Sequence, residues 1–265
     1  MTARSRVLGA FGLILLAAFI LLPFVQVVQL SVQSTLGTPE APLGTYTMMN
    51  YRNIFASDAL VSSLVNSVTY VTLNVALTLL VALPAAYGIS RYHIPGKRLF
   101  FITLLAFRVT PPVVLSLPVF ILFSKLNLIN TPVGIALVHC VFNVPIAIWI
   151  LESFISAVPR EYDESAKLDG YSTSRFFIKF LIPAIAPGIG VTMFFCFVFS
   201  WVEVVFARTL TVTDGKPITM AISNLFGFQT DVGLVMAMTV FSLLPGLVMI
   251  YFVRHHIARG FVVRG

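Results

Sequence analysis

Six stretches of this sequence, 7–34, 59–90, 109–124, 126–151, 180–202 and 232–253, contain no Asp, Glu, Lys or Arg. A helix that crosses a bilayer needs about 20 apolar residues rising ~1.5 Å each. The third stretch is short only because Arg108 interrupts it, and taken back to Leu99 it too is long enough. Only 10% of the residues are charged and 58% are hydrophobic, whereas a soluble domain averages about 25% charged residues. So few charges cannot cover a water-facing surface, and lipid must be the main solvent. In lipid every backbone N–H and C=O needs an internal partner, which leaves helices or a closed barrel. Barrel strands alternate apolar and polar over about ten residues, and the runs here are continuous and longer. The expected fold class is all-α, a polytopic membrane protein with six transmembrane helices at about 8–31, 60–90, 99–124, 126–152, 181–207 and 232–254, in one domain over 1–265. Breaks at Pro39 and Pro42, Pro95-Gly96, Asn130 to Pro132, Pro159 and Gly215 to Pro217 separate the spans.

Basic residues set the direction. One side carries twelve: Arg4, Arg6, Arg91, Lys97, Arg98, Arg160, Lys167, Arg175, Lys179, Arg254, Arg259 and Arg264. The other carries three, Arg52, Lys125 and Lys216, while Arg108 and Arg208 fall in or at the edge of spans. The positive-inside rule places both termini in the cytoplasm, and an even number of spans requires the same. The net charge of +7 is dotted through short loops, so it reads as topology control and not as a nucleic-acid surface. The first run follows Arg4 and Arg6 as a signal peptide would, but it exceeds an h-region of about 7–15 residues, so a retained anchor is expected. Cys140 and Cys196 lie inside apolar runs and read as small buried hydrophobes.

The spans differ in character. Ser62, Ser63, Asn66, Ser67, Thr69, Thr72, Asn74 and Thr78 make the second too polar to face lipid alone. They either bond to neighbouring helices or line a wet path. Pro111, Pro112 and Pro118 each remove a helical hydrogen bond from the third.

The longest connection on the basic side, 156–182, is organised as two short helices. Pro159 suits a first helical turn. Glu161, Asp163 and Glu164 sit at the positive end of the first helix, Lys167 at the other, and Gly170 follows where a left-handed residue would end it. Ser172 can cap a second helix that sets Phe176, Phe177 and Phe180 beside Arg175 and Lys179. The pattern is either an aromatic loop lying on lipid or a docking surface for a cytoplasmic protein.

Glu164-Ser165-Ala166, three residues, Gly170, nine residues and Phe180-Leu181-Ile182-Pro183 resemble the EAA loop of bacterial binding-protein-dependent ABC importer permeases, E-A-A-x3-G-x9-I-x-L-P. Ser165 replaces Ala, Phe180 replaces Ile and Ile182 replaces Leu. The likeness covers nearly the whole chain and is greatest to the maltose-type, carbohydrate branch. It is carried by Asn50-Tyr51, Asn66-Ser67, Ala85-Ala86-Tyr87, Arg91-Tyr92, Thr110-Pro111-Pro112, Asn130-Thr131-Pro132, Asn143-Val144-Pro145, Ile148-Trp149 and Arg259-Gly260. The W-N-E usual in the fifth span is Trp201-Val202-Glu203 here. The resemblance implies a type I ABC importer permease in the bacterial inner membrane, importing a sugar or polyol. Its implied partners are a second homologous permease, two cytoplasmic ATPase subunits and an extracytoplasmic solute-binding protein. It implies ATPase-coupling residues at Glu161, Glu164, Ser165, Ala166, Asp169, Gly170 and Pro183, with Glu164 anchoring the helix and Gly170 permitting the turn.

A P-loop needs G-x-x-x-x-G-K-[ST], but Arg98 follows Gly96-Lys97 and Pro217 follows Gly215-Lys216. No cofactor or metal is expected on this chain, no catalytic residue is assigned, and ATP and Mg belong to the partner subunits. His255 and His256 fall at a helix end and His139 near mid-membrane, where a packed histidine is the default. A permease for another small solute such as a polyamine is the alternative, and a stand-alone channel or carrier a more distant one. The candidate pathway residues are Arg108, Asn66 and Glu203. A charge at bilayer depth costs roughly 2.5–3.5 kcal/mol, so Arg108 and Glu203 each need a partner or a watery cavity. If Arg108 lines the pathway, Arg108→Ala alters the affinity or substrate range of transport; unchanged transport removes that role.

Overall fold

The computed structural model describes residues 3–227 and 230–260. The side chains of Arg4, Arg6, Arg98, His255, His256 and Arg259, and the whole of Arg264, lie outside the described residues. The chain is helical: α1 (Ala3–Ser31), α2 (Met49–Ala56), α3 (Asp58–Arg91), α4 (Lys97–Val109), α5 (Pro112–Lys125), α6 (Pro132–Ser156), α7 (Glu161–Leu168), α8 (Thr173–Phe176), a π-helical segment (Phe177–Leu181), α9 (Ile182–Ala184), α10 (Ala186–Val202), α11 (Val205–Leu210), α12 (Ile218–Leu225) and α13 (Val232–Gly260). Among the described residues the only β-type pairing is one isolated bridge between Gln33 and Tyr46.

Among the described residues, four helices are long and apolar enough to cross a membrane: Gly9–Ser31, Asp58–Arg91, Pro132–Ser156 and Val232–Arg254. A fifth candidate is the pair Thr173–Ala184 and Ala186–Val202, bent by 78°. The expected span at 99–124 is two helices instead of one, because Pro111 at φ −59° and ψ 129° leaves the helical region before Pro112 opens α5. A proline crowds the residue before it away from the α conformation, and the consecutive prolines make that break unavoidable. The expected span at 181–207 is shorter, with α10 ending at Val202 and Glu203 extended at ψ 131°.

Two compact units divide the chain, Met1–Val61 with Ala221–Pro245, and Ser62–Met220 with Gly246–Gly265. In the first, α1 runs into a tight hairpin held by Ser34 N–H to Thr45 C=O at 2.9 Å and Thr47 N–H to Val32 C=O at 2.7 Å. The buried Asn50 amide donates to the carbonyls of Ser31 and Gln33, 2.9 Å each. Asp231 caps α13 by accepting from Leu234 N–H at 3.1 Å, and it also accepts from the Thr35 hydroxyl at 2.9 Å.

In the second unit α6 is the central helix, packed by α4 and α10. Thr131 caps it, accepting from Gly134 N–H at 3.0 Å, and Pro132 takes the first turn. Ala147, Ile148, Leu151 and Ile155 are buried against Ala82, Ala86, Ile89 and Leu181. Further along, Asn143 Nδ2 donates to Asn74 Oδ1 at 2.6 Å, and Ser200 Oγ donates to the same oxygen at 2.9 Å. The Asn74 amide in turn donates to Ala136 C=O at 3.0 Å. Of the polar residues of the second span, Asn74 thus bonds to neighbouring helices, joining α3 to α6 and α10.

Gly134 sits where a Cβ would collide with the backbone carbonyl of Leu128. A backbone atom cannot rotate aside, so Gly134→Ala should destabilise the chain by ~1–3 kcal/mol, read as a lowered melting temperature in detergent.

Candidate functional site

The 156–182 loop turns on one helix. The first turn of α7 holds Glu161, Asp163 and Glu164 and its last turn holds Lys167, each suited to the dipole end it occupies. Its stop is a Schellman motif: Tyr171 N–H donates to Ala166 C=O at 2.9 Å and Gly170 N–H to Lys167 C=O at 3.1 Å. Gly170 stands at φ +81°, a conformation in which a Cβ carries a steric cost. Ser172 then accepts from Arg175 N–H at 3.4 Å and starts α8.

One face of α7 is turned inward. Asp163 and Ala166, one turn apart, are buried, while Glu161, Glu164, Ser165, Asp169 and Gly170 are exposed. The small side chain at 166 lets α7 lie close against its base. Glu161, Ser165, Ala166 and Asp169 line a cleft of about 400 Å³, and Tyr162, Tyr171, Phe176 and Phe180 complete it. The Tyr171 and Phe180 rings meet edge to face at 5.1 Å, and the Arg175 guanidinium and Lys179 ammonium lie 5.1 and 5.5 Å from the Tyr171 ring centre. The surface is therefore acidic along the exposed side of α7 and aromatic and basic beyond Gly170. Glu164, Gly170 and Pro183 lie outside the cleft lining. Pro183 is exposed in α9, just before the turn at Ile185 from which α10 departs.

The base of α7 is polar, and its three residues are not among the candidate site residues read from the sequence. The Tyr87 hydroxyl donates to Asp163 Oδ1 at 2.9 Å, and an Arg91 terminal nitrogen lies 3.0 Å from Asp163 Oδ2. Three acidic residues in a first turn look alike as complements to the dipole. Only their phase on the helix, with 163 and 166 on one side, separates the buried carboxylate from the exposed ones.

The other candidates are held apart, each by different partners. The half-buried Arg108 places its guanidinium 4.3 Å from the Phe199 ring centre. Asn66 donates to Lys216 C=O at 3.3 Å. Glu203 is buried; its carboxylate accepts from Phe206 N–H at 2.9 Å and Ala207 N–H at 3.2 Å, the free donors opening α11, and lies 3.4 Å from His139 Nε2.

Residues 79–262 match the family described as binding-protein-dependent transport system inner membrane component. The chain belongs to that family. The matched region contains the whole EAA-type loop and the helices that carry it. Among relatives of this transport permease, the trehalose transport system permease protein SugB of Mycobacterium tuberculosis is 29% identical over 266 residues, 98% of this chain and 97% of that one. The trehalose/maltose transport system permease protein MalG of Thermococcus litoralis is 28% identical over 263 residues, 97% and 95% of the two chains. A bacterial ABC transporter involved in the import of the acidic polysaccharide alginate contains a chain of the same fold, with TM-score 0.77, 19% identity and 99% of both chains covered.

Proline cannot adopt the φ of Gly170, and a lysine at 164 reverses the charge on the exposed face. Gly170→Pro and Glu164→Lys should each abolish ATP-coupled uptake while membrane insertion stays intact. Normal uptake, with the ATPase co-purifying at normal yield, would remove the docking role.

Proposed function

We propose that this chain is the permease subunit of an ATP-driven importer for a sugar or polyol, in the bacterial inner membrane with both termini cytoplasmic. It pairs with a second homologous permease, and a solute-binding protein delivers the substrate from outside. Two ATPase subunits bind and hydrolyse ATP with Mg, and this chain holds no nucleotide or catalytic site of its own. The observation that carries this reading is the 156–182 loop. It offers an exposed acidic helix, terminated by a glycine in the left-handed conformation and seated on a buried polar base, within a chain that matches the permease family. An exposed helix held in one orientation is what a moving partner needs to grip.

Glu164 and the flanking exposed residues Glu161, Ser165 and Asp169 are the contacts we assign to the ATPase. Ala166 allows α7 to seat, Gly170 sets the turn, and Pro183 marks where the loop passes into the spans. Closure of the ATPases on ATP would then carry α7 and the attached helices from inward-facing to outward-facing. Of the three candidate pathway residues, Arg108 is the one we assign to the solute path. It is only half-buried, whereas the carboxylate of Glu203 is taken up by α11 and the Asn66 amide by a carbonyl. The sugar assignment is supported by the trehalose and maltose names of full-length relatives.

The complex purified with its binding protein provides the test. A sugar or polyol at 100 times its Kd should stabilise the binding protein by about 2.7 kcal/mol and drive ATP-dependent uptake into proteoliposomes. A polyamine that does both in its place would overturn the substrate class, and uptake without added ATPase would overturn the importer.

A further inference from the structure

The coupling helix proposed above is only eight residues long. It is followed by Gly170 at φ +81° and joined to α10 through a π-helical segment and a 78° bend. Backbone attachment of that kind lets a short helix swivel. A pull on it would be absorbed locally unless something ties it to the spans.

The structure contains such a tie, and it runs to α3. Tyr87 and Arg91 are four residues apart in the last turns of α3, so their side chains share one face. Both reach Asp163 in the first turn of α7, the hydroxyl at 2.9 Å and the guanidinium at 3.0 Å. The side chains of Arg91 and Asp163 are 8% and 10% exposed. The same guanidinium donates to Val158 C=O at 3.0 Å, just ahead of α7. In the reverse direction Arg160 donates to Ser90 C=O at 3.2 Å, and the Ser90 and Ser156 hydroxyls meet at 2.9 Å. The end of α3 is thus stitched to the helix and to the segment leading into it. Ser156 continues the chain to Glu152 at 3.0 Å, which pairs with Lys97 of α4 at 2.7 Å.

Burying an ion pair gains little net stability, because desolvation offsets the attraction, whereas breaking one leaves a stranded charge. What the pair does provide is a fixed geometry between two elements with no covalent connection nearby. From this we infer that Arg91, Asp163 and Tyr87 are positioning residues forming the rigid linkage through which displacement of α7 moves α3. This inference rests on the importer reading. Glu164 and its neighbours face the ATPase, and Asp163 faces the spans, so grip and transmission lie on opposite sides of one helix.

The test uses the assembled transporter in proteoliposomes, with uptake, ATP hydrolysis and subunit yield measured on the same preparations. Asp163→Asn should lower the solute imported per ATP hydrolysed roughly tenfold, with hydrolysis and yield within about twofold of wild type. Tyr87→Phe, which removes only a hydroxyl, should lower the same ratio by about two- to threefold and decides the matter if Asp163→Asn fails to assemble. Combining Arg91→Asp with Asp163→Arg should restore part of the ratio lost in either single variant. An unchanged ratio in Asp163→Asn and Tyr87→Phe, or a fall in hydrolysis and yield parallel to uptake, would overturn the linkage. A wild-type complex without ATP-dependent uptake would instead overturn the importer reading. In that complex the linkage is read by hydrogen exchange of the α7 amides. Faster exchange in Asp163→Asn and Tyr87→Phe is expected, and no change would overturn it.

Discussion

Lipid offers no hydrogen-bond partner to a protein, so a break within a membrane-spanning run must be satisfied from inside the protein. Where the backbone breaks, something inside the protein receives the freed groups. The donors at the start of α11 are taken by Glu203, whose own burial is made tolerable by the same contacts and by His139 nearby. In the loop outside the spans, the carbonyls of Ala166 and Lys167 at the end of α7 accept from Tyr171 and Gly170. The break ahead of α5 falls at Pro111 and Pro112, neither of which has an N–H to satisfy.

The same constraint explains the polar side chains within the second unit. Apolar surface gains nothing from leaving lipid for another helix, so association depends on close packing and interhelical hydrogen bonds. Asn74, Asn143 and Ser200 supply the bonds that join α3, α6 and α10. Small residues supply the packing: Ala82 and Ala86 of α3 and Ala147 of α6 are fully buried in one core. Gly188 allows the Phe154 ring to press against the backbone of α10. These three helices converge on the 156–182 loop, α6 leading into it, α10 leading out, and α3 meeting it through Tyr87 and Arg91.

The loop divides its labour by helical phase. On α7 the residues at 161, 164, 165 and 169 remain available to a partner, while 163 and 166 serve the base. A charge reversal on the first set changes only an exposed surface; one at Asp163 strands Arg91 in a buried site. Both sets are acidic or small, so the difference is invisible in composition.

Much of this protein is determined by sequence alone. Length and absence of charge dictate apolar helices, since lipid leaves the backbone few alternatives. The end of α7 was legible from Gly170, because capping is chemistry within a few residues, whereas α6 starts at Pro132 and not at the expected 126. The loop was legible from its spacing and from the family it resembles. Two further spans came out differently. Pro111 and Pro112 divide one, and the other stops at Val202, where the Glu203 carboxylate accepts from backbone N–H groups three and four residues on. Asn66, Arg108 and Glu203 read alike as polar groups in apolar runs, yet one bonds a carbonyl, one lies over an aromatic ring and one caps a helix. Only tertiary structure decided that, and only it brought Arg91 and Tyr87 to Asp163 across more than seventy residues. Local patterns specify where helices begin, end and dissolve in lipid; which polar groups meet depends on how those helices pack, and packing is a property of the whole chain.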